Sequence, residues 1–202
     1  MEYMIHLFNV GGFMMYPLLL ASIFVVAVAA ERASLYRRSF TKLDVLEEKL
    51  PALLSGRKNK EAALVCGDAG GVAGRLLEEA SLNIGGVAKP SEYLSGKCAH
   101  AASELKANLN YVSAIVTLSP LMGLLGTVIG MIRSFDVLSI SEGQPFAITG
   151  GVAEALVATG FGLFVAILAM LIHVWLSQWS NKLIGQIESA ASLYLASLST
   201  KQ

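Results

Sequence analysis

Charged side chains are scarce in this sequence. Lysine, arginine, aspartate and glutamate supply 15% of its 202 residues, against about 25% in an average soluble domain, which excludes a chain bathed in water along its whole length. The fifteen basic and fifteen acidic residues cancel, so the positive excess that draws a protein to nucleic acid is missing. There are only two cysteines, Cys66 and Cys98. Their spacing fits no zinc or redox motif. Both fall in the charged part of the chain and read as reduced thiols in a cytosolic segment, where disulfides are rare. No metal-ligand cluster, phosphate loop or nucleophile–base pattern is present, so no enzyme activity, cofactor or metal is indicated. Residues 1–12 contain Glu2 and His6 but no lysine or arginine. The apolar run that follows is too long for a signal-peptide core, so a cleaved leader is not expected.

What the chain has in plenty is apolar sequence in blocks. Hydrophobic residues reach 54% and the mean hydropathy is +0.61. The first block is residues 11–30, with Pro17 near its start, where a helix tolerates proline. The second is residues 111–132 and the third residues 152–176. Each is long enough to cross a bilayer as a helix. The spacing therefore predicts an all-α integral membrane protein: three transmembrane helices with long helical cytoplasmic extensions. Residues 1–10 form a short leading segment, 31–110 a large loop, 133–151 a short polar link and 177–202 an amphipathic tail that prolongs the third span.

The 31–110 loop holds twelve of the fifteen basic residues. Helical spacing recurs in it, as at Leu43, Leu46, Leu50 and Leu53. Breaks at Ser55-Gly56, Gly67 to Gly71, Gly85-Gly86 and Lys89-Pro90 divide it into about four helices, the first continuing from span one and the last running into span two. Arg32, Arg37 and Arg38 flank one membrane end and Lys106 the other. The positive-inside bias then puts the loop and tail in the cytoplasm and the leading segment and link on the far side.

Spans two and three differ from plain anchors. Span two carries Pro120, Gly123, Gly126, Thr127 and Gly130, and Gly126 with Gly130 forms a GxxxG pair. Span three carries Ala155, Thr159 and Gly162. Small residues let helix backbones approach closely where lipid offers no hydrophobic drive to association. Span one, richer in leucine, valine and phenylalanine, reads as more lipid-facing. Pro120 has a structural reading as a kink. Glu154 stands in the first turns of span three, where a carboxylate facing lipid is costly. Facing a packed interior or wet cavity fits it, and so does a simple role at the positive end of the helix dipole. Thr127 and Thr159 are deep in their spans, and a span threonine commonly just bonds back to its own helix. His173 with Trp175 and Trp179 reads as an interfacial belt. Spans one and two hold no group able to relay protons, so a conducting assembly needs a titratable group from another subunit.

Two stretches carry a family resemblance: LSPLMGLLGTVIGMIRSF at 118–135 and GGVAEALVATGFGLFVAI at 150–167. In order, spacing and placement they resemble the signatures of the MotA/TolQ/ExbB proton channel family, and the three-span layout is closest to its ExbB/TolQ branch. The resemblance implies a homopentamer of a bacterial inner-membrane protein around a central pore. An ExbD- or TolR-like single-span partner sits in that pore and its aspartate takes and releases protons. The proton-motive force then drives a TonB- or TolA-like protein downstream. By position, Thr127, Thr159 and Glu154 match the family's pore threonines and membrane glutamate. Two features depart from the family pattern. Leu168 stands where a proline is common, and His173-Val174 where Tyr-Asn is usual. A scaffold without transport and a sodium-driven version of the same motor are the alternatives.

Overall fold

The structure, a computed structural model, describes residue 8 and residues 10–56, 58–83, 89–140 and 145–199. The expected glycine break at 85–86, the centre of the polar link and most of the leading segment lie outside the described residues. Seven helices are described: α1 (Met15–Ser39), α2 (Leu43–Ser55), α3 (Asn59–Ala69), α4 (Gly71–Asn83), α5 (Pro90–Lys106), α6 (Leu109–Ile140) and α7 (Pro145–Ser199). Among the described residues there is no strand. Three stretches, within Met15–Leu54, Pro90–Asp136 and Thr149–Leu198, are long and apolar enough to cross a membrane. The protein is an all-α, multi-pass membrane protein.

Contacts divide the chain into two compact units. The first comprises residues 1–30 and 108–175, the second residues 31–107 and 176–202. In the first unit the apolar part of α1 buries one stripe, Met15, Leu18, Val25 and Val28, and exposes Leu20, Ile23 and Phe24. Val25 and Val28 pack with Val112 of α6 and Ala169 of α7. Span one thus meets its neighbours along a single face, and it is buried to the same extent as span two.

The second unit is a small helical core. α3 packs on α2 and on α4, and α4 on α5. Leu46, Leu50, Cys66, Leu77, Leu94, Leu183 and Tyr194 are fully or almost fully buried in it. The leucine stripe expected in α2 is present, but its last buried member is Leu54, one position beyond Leu53. The turn after α1 is anchored on the α3–α4 corner. Thr41 Oγ1 accepts from the Ala73 amide at 3.2 Å, and the Lys42 amide donates to the Ala69 carbonyl at 3.1 Å. Gly71 meets this turn with φ +67°, and a Cβ there would run into Thr41 Oγ1 and lie 2.5 Å from the Phe40 carbonyl oxygen. Glycine is the residue that takes such a conformation without penalty.

One expectation needs correction. α5 does not run unbroken into α6: it ends at Lys106, and Asn108 turns left-handed with φ +66° before α6 starts. Asparagine tolerates that region better than other side chains because it is short and bonds locally. The described residues of the polar link are helical. α6 runs to Ile140 and α7 starts at Pro145, with proline at the first helical position, where its missing N–H costs nothing. Polarity marked the end of the apolar run, not the end of the helix.

Candidate functional site

The buried face of α6 is built from small residues. Ser119, Gly123, Gly126, Gly130 and Ser134 recur every three or four positions and are all buried. Opposite them on α7 run Gly162, Thr159, Ala158, Ala155 and Gly151, in reverse order, as an antiparallel pair requires. A Cβ added to Gly123 would lie 3.1 Å from Thr159 Cα, one on Gly126 2.6 Å from Ala158 Cβ, and one on Gly130 2.8 Å from the Gly151 oxygen. A Cβ on Gly162 would lie 2.7 Å from the Ser119 oxygen and 3.0 Å from Gly123 Cα. The two backbones touch, which is what the small-residue pattern allows in lipid. Gly123, Gly126, Gly130, Gly162 and Ala155 all lie in this contact. Pro120 sits half-buried beside it in a helix that continues through it.

Thr159 Oγ1 donates to the Gly123 carbonyl across the helix pair at 3.0 Å. In an α-helix that carbonyl also accepts from the amide four residues on, which here belongs to Thr127. The Thr127 hydroxyl itself bonds back to the Leu124 carbonyl at 2.6 Å. The two threonines therefore meet around one peptide group, on a flank where Leu124, Leu156 and Leu163 are exposed.

Glu154 is elsewhere. It precedes Thr159 by five residues, which is about 140° around the helix. On that other flank Glu154 Oε1 accepts from Arg133 Nη1 of α6 at 2.9 Å, with side-chain exposures of 18% and 55%. The start of α1 lies on the same side: Met14 is near Gly126, and Gly12 lies against the Glu154 carboxyl. Of the three residues singled out for an ion pathway, the fold brings the two threonines together and separates the glutamate from them. Arg133 did not stand out in the sequence because it follows the last apolar residue of its block; its i, i+3 spacing from the buried Gly130 was the available signal.

In the second unit, side chains of α1 hold the end of α5. Arg32, 6% exposed, donates from Nη1 to the Glu104 carbonyl at 2.9 Å, and the Tyr36 hydroxyl donates to the Leu105 carbonyl at 2.7 Å. Both carbonyls lie in the last turn of α5, where Glu104 also accepts from the Ala107 amide at 3.3 Å, and a cation there suits the dipole. Trp179 contacts the Tyr36 ring edge-on, with centroids 6.0 Å apart; only Trp175 of the expected belt is widely exposed. Both cysteines are free thiols. Burial pushes the Cys66 thiol up to about 11.

Residues 86–189 match the profile of the MotA/TolQ/ExbB proton channel family. The ExbB-like 3 biopolymer transport protein of Synechocystis is 31% identical over 191 residues, covering 88% of this chain and 90% of that protein. ExbB-like 1 of the same organism is 33% identical over 80% of this chain and 66% of its own length. The Tol-Pal system protein TolQ of Pseudomonas aeruginosa is 37% identical over 99 residues, 48% of this chain and 43% of TolQ. The matched region contains α6 and most of α7, and so the whole small-residue contact and both threonines.

Proposed function

Because this chain belongs to the MotA/TolQ/ExbB proton channel family, we propose that it is the pentameric stator and channel subunit of a motor driven by the proton-motive force in a bacterial inner membrane. The N-terminus and the link between α6 and α7 face the periplasm, and the second unit faces the cytoplasm. Five α6–α7 pairs surround a pore, and Thr127 and Thr159 face it. An ExbD- or TolR-like single-span partner supplies the titratable carboxylate, since the apolar stretches 11–30 and 111–132 contain none. A TonB- or TolA-like protein carries the work to outer-membrane transport or envelope processes.

The observation that carries this reading is the placement of the two hydroxyls on adjacent carbonyls of α6, Thr159 on Gly123 and Thr127 on Leu124, at an otherwise apolar, exposed flank. A hydroxyl both donates and accepts, so it serves a carboxyl in either protonation state. The energy is adequate: each charge crossing about 100 mV releases about 2.3 kcal/mol.

The test replaces Thr159 or Thr127 by valine, which keeps the shape and removes the hydroxyl. The motor reading expects oligomers of normal size, a full complement of partner and loss of most energy-dependent activity. Normal activity in both variants would leave the chain a scaffold, the reading its small-residue contact would then support. Activity that survives collapse of the proton gradient but follows the sodium gradient would replace the ion and keep the site.

A further inference from the structure

Glu154 lies within the apolar part of α7, with its carboxyl enclosed by two other elements. From α6, Arg133 reaches Oε1 at 2.9 Å. From the turn before α1, Gly12 presses backbone against it. Gly12 has φ +67°, and a Cβ there would collide with Glu154 Oε1 and come within 2.6 Å of its carboxyl carbon. A Cβ on the neighbouring Gly11 would lie 2.6 Å from the Met15 side chain and 3.0 Å from Val157 of α7. The left-handed backbone at Gly12 selects glycine, and a Cβ there would also force the Glu154 carboxyl aside.

An anion in such surroundings persists when it is paired and hydrogen-bonded. Arginine suits the task better than lysine because its charge is permanent and its donors sit in a planar fork. We propose that Arg133 is a positioning residue for Glu154, and that Gly12 completes the same clamp, tying the turn before α1 to α6 and α7. Glu154 is then a fixed member of a three-part joint on the flank away from Thr127 and Thr159. This goes beyond the motor reading and does not depend on it, because a scaffold would need the same joint.

The full chain in native membranes is treated with dicyclohexylcarbodiimide, a membrane-soluble reagent for carboxyl groups, and modification at Glu154 is followed by peptide mass spectrometry. A carboxyl engaged by a guanidinium and covered by backbone reacts slowly. Arg133→Gln should speed modification by about tenfold, as expected for loss of a charge-assisted hydrogen bond, and Arg133→Lys should stay close to wild type. Gly12→Ala should also speed it, although Arg133 is intact, because the added methyl displaces the carboxyl. Elution of the solubilised protein reports separately on assembly. Equal rates in wild type, Arg133→Gln and Gly12→Ala overturn the clamp. A rise in Arg133→Gln alone overturns the part assigned to Gly12. If Arg133→Gln fails to reach the membrane, Arg133→Met, which keeps the apolar stem and removes the charge, takes its place with the same expectation.

Discussion

The two units of this protein pack by opposite rules. In the first, the α6–α7 contact is made of the smallest side chains, Gly123, Gly126, Gly130, Ala155, Ala158 and Gly162, while Leu121, Leu124, Phe164, Ile167 and Leu171 point outward and are 58–65% exposed. In the second, Leu46, Leu50, Leu77, Tyr36 and Tyr194 are inside, and ion pairs such as Lys97–Glu79 and Lys58–Glu61 lie on the surface. The difference follows from the solvent. Water expels large apolar groups into a core. Lipid does not, so helices in it associate through close backbone packing and interhelical hydrogen bonds. The α6–α7 contact is held by fit, the second unit by burial.

That contrast can be broken most sharply at Gly162. Gly162→Val would drive a branched side chain into the Ser119 carbonyl and Gly123, and backbone cannot yield as a flexible side chain does. Overpacking of this kind costs about 1–3 kcal/mol or more, and the yield of folded protein after solubilisation should collapse. The opposite experiment belongs to the second unit. A Cβ on Gly96, inside α5, meets nothing within 4 Å, so Gly96→Ala should leave the fold intact and stabilise it, by up to about 1 kcal/mol, as a modest rise in melting temperature.

Between these extremes lie two tests of burial in the second unit. Cys66 is fully buried and its thiol is raised from 9.0 to about 11 by desolvation, Ser81 partly opposing the shift. A raised thiol favours the neutral form in the folded state. Its contribution is therefore complete below pH 9 and is lost as pH rises from 9 toward 11, by up to about 1.4 kcal/mol per pH unit. Denaturation of a Cys66→Ala variant should lack that part of the alkaline decline. In the folded protein a maleimide should reach the partly exposed Cys98 well before Cys66. Tyr36→Phe removes the donor to the buried Leu105 carbonyl and should cost about 1–3 kcal/mol, measured by denaturation of the purified chain. The smallest of the four effects is the gain expected at Gly96.

The sequence by itself determined the helical class, the three apolar spans, the small-residue faces and the residues that carry family membership. Each of these depends on composition and period along the chain, which are local. It also placed Leu183, Ile187, Ala190, Leu193, Tyr194 and Leu198 at helical spacing in the tail; four of the six are buried, and Leu193 and Leu198 are half-buried. What only the tertiary structure decided is which side chains meet across helices. The Thr159 hydroxyl reaches the Gly123 carbonyl, one helical turn from Thr127, because α6 and α7 run antiparallel with Gly123 opposite Thr159, a register that no single helix encodes. Glu154 is turned away from them toward Arg133 and Gly12 by the 100° step of the helix and by the turn before α1. Asn108 breaks the path from α5 to α6, while Arg32 and Tyr36 hold the carbonyls at that break from more than sixty residues away. Periodicity reports the face a helix presents. The partner on that face, and the height at which it is met, depend on packing between segments far apart in the chain.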